Sequence, residues 1–181
     1  MRHPASRRLL ILVLTLMLPA VPAVASAEHI QAALIGYEEV PAVSTVATGS
    51  FTATISPDDQ SIDYELTYSG LQGTVQQAHI HVAQLSVNGS IVIWLCQTTT
   101  TPAPAAVHAL TPSCPQSGTV TGHITATNVI AGSIASQQLA AGELAEVIAA
   151  MRAGAAYANV HTTPLSPGGE IRGQVRASSK R

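Results

Sequence analysis

Short runs rich in Val, Ile and Thr, alternating apolar and polar positions, recur along most of the chain and are separated by Gly, Pro, Asp and Asn. Alternation with period two marks a strand that lays one face on a core, and many such runs at short spacing predict an all-β domain. The predicted strands are His29–Ile35, Ala47–Ile55, Ser61–Tyr68, Val75–Val82, Ser90–Leu95, Gly118–Ala126, Ala156–His161 and Glu170–Ala177. SPDDQ at Ser56–Gln60 and VNGS at Val87–Ser90 carry the residues that favour tight turns. One segment changes period. Leu144, Val147, Ile148 and Met151 recur at helical spacing, Ser136 stands where an N-cap would and Gly154 where a helix would stop. One amphipathic helix near residues 137–153 is expected, its apolar stripe turned into the core.

The same alternation sorts the polar side chains. In Gln77-Ala78-His79-Ile80-His81-Val82, the apolar set Ala78, Ile80 and Val82 takes one face and His79 and His81 the other. In Tyr157-Ala158-Asn159-Val160-His161, burial of Ala158 and Val160 turns Asn159 and His161 away from the core. In the last strand Ile171, Gly173 and Val175 face inward, sending Glu170, Arg172 and Gln174 outward. If these strands are neighbours, Asn159, Glu170 and Arg172 form a polar network on one outer face with the histidines.

Imidazoles two apart on a strand stand on one side about 7 Å apart at Cα, near enough for both rings to tip onto one ion. With His161 as the third ligand, His79 and His81 make a candidate three-histidine surface site. Neutral imidazole suits copper and zinc, and three nitrogens with one open position are what a catalytic or carrier metal uses. Because coordination needs neutral imidazole, binding is expected to weaken below about pH 6. His123 is a fourth ligand only if its strand lies next to the others. His108 and His29 read as surface residues.

Arg2, Arg7 and Arg8 precede the apolar run Leu9–Leu18, then PAVPAVASA, which is the layout of a signal peptide with small Ala25 and Ala27 before the cut. Ten apolar residues cover about 15 Å of helix against a hydrocarbon core of about 30 Å, so removal after Ala27 is expected rather than a membrane anchor. Residues 28–181 then form one domain, outside the cytoplasm in a periplasm or secreted, with no membrane span. The chain carries a formal charge of −2, and loss of the three arginines makes it more acidic. Arg152, Arg172, Arg176, Lys180 and Arg181 are the basic residues left, too few and too scattered for a nucleic-acid surface. In an oxidising compartment Cys96 and Cys114 are expected to pair, closing a Thr- and Pro-rich loop.

Other chemistry is sparse. The sequence holds no GxSxG elbow, Glu38–Glu39 and Asp58–Asp59 lie in turn-like segments where solvated charge is expected, and SPGGE at Ser166–Glu170 reads as a tight turn.

With these residues in place, the chain resembles the CHRD domain family, named for repeated domains in chordin and also found in many secreted bacterial proteins. The resemblance rests on LIGYEEVPAV at Leu34–Val43, Gly49 in ATGSFTATI, AHIHV at Ala78–Val82, NGSIVIWLC at Asn88–Cys96, the helical segment ending in Met151 and YANVHTTPLSPGGEIRGQV at Tyr157–Val175. The segment after His81 departs from it, since a glycine is expected sooner than Gly89. The resemblance implies an immunoglobulin-like or superoxide dismutase-like β-sandwich and names no reaction. Two functions follow. The first is a non-enzymatic extracytoplasmic module that needs no cofactor and binds a protein, glycan or surface component. The alternative is a copper- or zinc-binding protein using His79, His81 and His161 for storage, delivery or redox protection.

Overall fold

A computed structural model describes residues 26–164 and 166–178. Residues 1–25, on which most of the expected signal peptide falls, lie outside the described residues, and Ser26 and Ala27 lead without regular structure into the first strand. In chain order the strands are β1 (Glu28–Ile35), β2 (Thr48–Ile55), β3 (Ile62–Ser69), β4 (Thr74–Val82), β5 (Ser90–Cys96), β6 (Gly118–Ile124), β7 (Ala156–Thr163), β8 (Ser166–Gln174) and the short β9 (Arg176–Ala177). The single α-helix among the described residues, α1, spans Leu144–Arg152.

Neighbouring strands run in the order β5-β4-β7-β8-β1-β2-β3-β6, with β9 beside β1. Every named pairing is antiparallel. β8 and β1 meet at only one register pair, Ile35 opposite Arg172, so the sheet folds over there into two four-stranded layers. Between the layers lies the core, with Phe51, Leu66 and Tyr68 from β2 and β3 against Ala78, Ile80, Leu95, Val160 and Ile171 from the other side. This is the all-β fold that the alternating pattern predicts and the sandwich that the resemblance implies, closed almost to a flattened barrel. Where β5 and β6 approach at the far edge, the Tyr64 hydroxyl donates to the Leu95 carbonyl at 2.6 Å and Tyr68 to that of Pro115 at 2.7 Å. Cys96 and Cys114 are joined in a disulfide at the same edge.

Two local expectations change. The helix begins later than Gln137, and Ser136 is not its N-cap. Residues 135–137 form a 3-10 turn, after which Gln138 and Gly142 take left-handed backbone conformations (φ 54° and 85°) that a continuous helix excludes. Gln137 spends its side chain elsewhere, donating to the Val82 carbonyl at 2.6 Å and accepting from the Ser90 amide at 3.2 Å. The apolar stripe itself is as predicted, with Leu144, Val147, Ile148 and Met151 all buried. The second change is in the predicted strand Glu170–Ala177, which starts at Ser166 and breaks at Val175, whose amide crosses to the Ala156 carbonyl. In the turn after β4, where the resemblance leads one to expect a glycine, Ser86 adopts the left-handed conformation at φ 61°.

Candidate metal centre

β4 and β7 are hydrogen-bonded neighbours, with His79 opposite Asn159, His81 opposite Tyr157 and Gln77 opposite His161. Ala78, Ile80, Ala158 and Val160 fill the core, which throws His79, His81, Asn159 and His161 onto the far side of the sheet. That far side is not a surface. His79 is fully buried, and His81 and His161 are each 6% exposed, so the expectation of an outward-facing surface site is corrected. Period-two alternation tells one face of a strand from the other, but not whether loops cover the second face.

Three segments make the cover. Gly89 offers its carbonyl to His81 Nδ1 at 2.9 Å and its amide to the Tyr157 hydroxyl oxygen at 3.4 Å. Arg172 on β8 holds the same turn from below, donating to the Val87 carbonyl at 2.8 Å and Asn88 Oδ1 at 3.1 Å. The Asn88 amide in turn donates to the Val40 carbonyl at 3.1 Å, drawing in the segment that carries Glu39. Residues 130–137 complete the cover, pinned by the Ile134 amide on Ser90 Oγ at 2.9 Å.

Beneath the cover the three imidazoles converge. Their potential ligand nitrogens all lie within 4.8 Å of one another. His79 Nδ1 and His161 Nε2 face each other at 3.2 Å and share a hydrogen bond, one ring donating and the other accepting. Two ligands bonded to one tetrahedral ion at 2.0–2.1 Å stand about 3.3 Å apart, so this pair already has the spacing and His81 has at most about 1.5 Å to close. A carbonyl only accepts, so His81 Nδ1 carries the proton toward Gly89 and leaves Nε2 with its lone pair, the orientation device usual behind metal-binding histidines. His79 Nε2 is buried with no hydrogen-bond partner, which leaves this nitrogen's bonding capacity unused.

Aromatic rings wall the cluster. The Trp94 indole on β5 meets His79 edge-on with ring centres 4.3 Å apart, and Tyr157 stacks on His81 at 4.6 Å with the planes 5° apart. The Arg172 guanidinium lies 3.3 Å from the Tyr157 ring centre. β5 carries register shifts opposite both Ala78/His79 and Ile80/His81, bulges of the kind that re-aim side chains beside a site. Burial holds His81 down to about 4, with the Arg172 charge acting the same way and the Gly89 carbonyl and Asn159 against it. Burial, then the His161 and His81 rings, keeps His79 well below the ordinary histidine range. Both are therefore neutral at physiological pH, the form that coordinates metal.

The polar network differs from the one read from alternation. Asn159 and Arg172 flank the histidines, Asn159 donating to the Gly168 carbonyl at 3.2 Å. Glu170, though buried, turns to the sandwich end, where it accepts from the Gln72 amide and Gly73 amide and from the Thr45 and Thr162 hydroxyls. Glu39 stands where Glu170 was expected. It is 4% exposed, with its carboxyl pushed up to about 8 by burial against the opposing pull of Arg172. The expectation of a solvated Glu38–Glu39 pair is wrong for this member. A side chain on Gly169 would collide with the Glu39 carboxylate and the Asn159 amide, so the GGE sequence was the available hint. His123 lies on β6, at the far edge beside β3, with its Nδ1 2.7 Å from Asp63, and so supplies no fourth ligand. His29 and His108 are exposed.

No curated protein and no solved structure matches the chain. The family profile of the CHRD domain matches residues 30–175, from the first strand through the last core residue of β8's continuation. The matched span holds all three histidines, their aromatic walls and the disulfide, and the chain belongs to the CHRD domain family.

Proposed function

We propose that this protein is an exported CHRD module, non-enzymatic, that holds one copper or zinc ion on His79, His81 and His161. The observation that carries the reading is the convergence of three buried imidazoles on one point, with the facing pair at ligand spacing. Export is supported by the leader-like residues 1–27, and the Cys96–Cys114 bridge suits an oxidising compartment. Among the described residues no helix is long and apolar enough to cross a membrane. With His81 held near 4, protons compete less than the ordinary imidazole value implies, which moves the loss of binding below pH 6.

Titration of tag-free protein with Cu(II) and Zn(II), followed by calorimetry and metal analysis, tests this. One ion per chain is expected, with affinity reduced at least tenfold in each of His79→Ala, His81→Ala and His161→Ala. Substoichiometric loading, or equal binding by all three variants, excludes the reading in favour of a module that binds a protein, glycan or surface component without metal.

A further inference from the structure

Beside the histidines lies a pocket of about 470 Å³ whose wall includes His81, His161, Trp94 and Tyr157. That volume falls in the range of small-molecule sites. Two of the three metal-binding candidates line it, so the cluster borders the pocket directly. Ala131 and Ser133 at the pocket wall are exposed, which connects the space to solvent.

The lining chemistry selects the occupant. Ile91, Pro104 and Ile130 join the aromatic walls, Asn88 and Ser133 supply neutral polar groups, and no Asp, Glu, Lys or Arg is among the lining residues. Three neutral imidazoles add no charge to an ion, and the buried Arg172 stacked behind Tyr157 is a cation. The buried Glu39 carboxyl lies beside this group but is opposed to the Arg172 charge and does not line the pocket, so a divalent ion here has no carboxylate at the pocket wall to offset it, and charge in a poorly solvated site is costly unless compensated. An anion entering from the pocket supplies the counter-charge.

We infer that the pocket is a ligand site in which the loaded centre takes, as its fourth donor, the oxygen of a small organic monoanion whose apolar body rests on the aromatic and aliphatic walls. This rests on the metal reading above, and the experiment separates the two. Protein carrying one Cu(II) per chain is titrated with azide, acetate and benzoate, read by ligand-to-copper charge transfer and electron paramagnetic resonance. Azide is expected to give a saturable band, and benzoate to bind at least tenfold tighter than acetate, which has the same donor group without the apolar body. The rim substitutions Ala131→Trp and Ser133→Trp together are expected to leave copper stoichiometry intact while bringing benzoate down to the level of acetate. Spectra insensitive to azide, benzoate no tighter than acetate in the wild type, or undiminished benzoate binding in the copper-loaded variant each overturn the proposal. The acetate and benzoate comparison needs no variant, so misfolding of the double substitution leaves a decisive measurement. Failure of the wild type to load copper at all is seen before any anion is added and removes the metal reading itself.

Discussion

Glu39 shows what a buried residue does that its neighbours in sequence do not disclose. Glu-Glu after a short turn reads as solvated charge, yet Glu38 is half-buried and Glu39 buried, its Oε1 without a hydrogen-bond partner. A carboxyl raised to about 8 in the folded state binds a proton that the unfolded chain releases near 4.5. Its contribution to stability is therefore fully present below pH 4.5 and is lost as pH rises through 8. Glu39→Gln keeps the shape without the charge, and we expect its thermal stability to match the wild type within about 1 kcal/mol at pH 5 and to exceed it at pH 9 by up to about 4 kcal/mol. Equal melting curves at pH 9 would show that Arg172 compensates the carboxylate fully. The three histidines were legible as one set because alternation is a property of each strand by itself. Their burial was not, since it depends on turns that arrive from residues 36–43, 84–89 and 130–137.

Among elements, the turn between β4 and β5 has the most to do with the site. It is held by Arg172 through two hydrogen bonds and by the stacking of that guanidinium on Tyr157, and it presents the Gly89 carbonyl that fixes His81. A side chain at Gly89 would overlap the Val82 carbonyl, so the close approach of turn to strand requires glycine there. Lysine in place of arginine keeps the charge but has neither the planar fork nor the stacking face. Arg172→Lys is accordingly expected to leave the sheet folded while hydrogen exchange quickens at Val87–Gly89 and metal dissociates several-fold faster. Unchanged exchange in that turn would show that Asn88 and Gly89 hold it without help. Arg172 was placed on the correct face by alternation, but its partners lie 84 and 85 residues away in sequence, beyond what a local pattern contains. The late start of α1 has a similar origin, because Gln137 is bound to Val82 and Ser90, which periodicity along the helix does not register.

At the scale of the molecule, a conventional hydrophobic sandwich supports a second, polar interior on the outside of one layer. Most of the first was readable: the positions of all but the last strand to within a few residues, the face of each strand, the apolar stripe of α1 and the Cys96–Cys114 pair follow from local pattern and composition. The second interior follows from the strand order, which brings β4, β7 and β8 side by side, and only pairing over long sequence distances sets that order. The disulfide closes one edge of this arrangement, and Cys96→Ser with Cys114→Ser is expected to lower unfolding free energy by about 3 kcal/mol in denaturant titrations.

The polar interior also gives the metal-free protein an acid limit. His79 and His81 are neutral when folded and bind protons near 6.5 when unfolded, so between 6.5 and about 4 the unfolded state takes up more protons. Their contribution is fully present above 6.5 and is lost as pH falls, with His81 alone accounting for at most about 3 kcal/mol. Glu39 acts in the opposite sense across part of this range, so the measurement is cleanest in Glu39→Gln. There, stability without metal should decline steadily from pH 6.5 to 4, and His81→Gln should flatten that decline. Saturating copper at a hundredfold excess over its dissociation constant should add about 2.7 kcal/mol at pH 7 and progressively less as the histidines protonate. A copper increment of the same size at pH 7 and pH 4 would place the ion on ligands other than these three imidazoles.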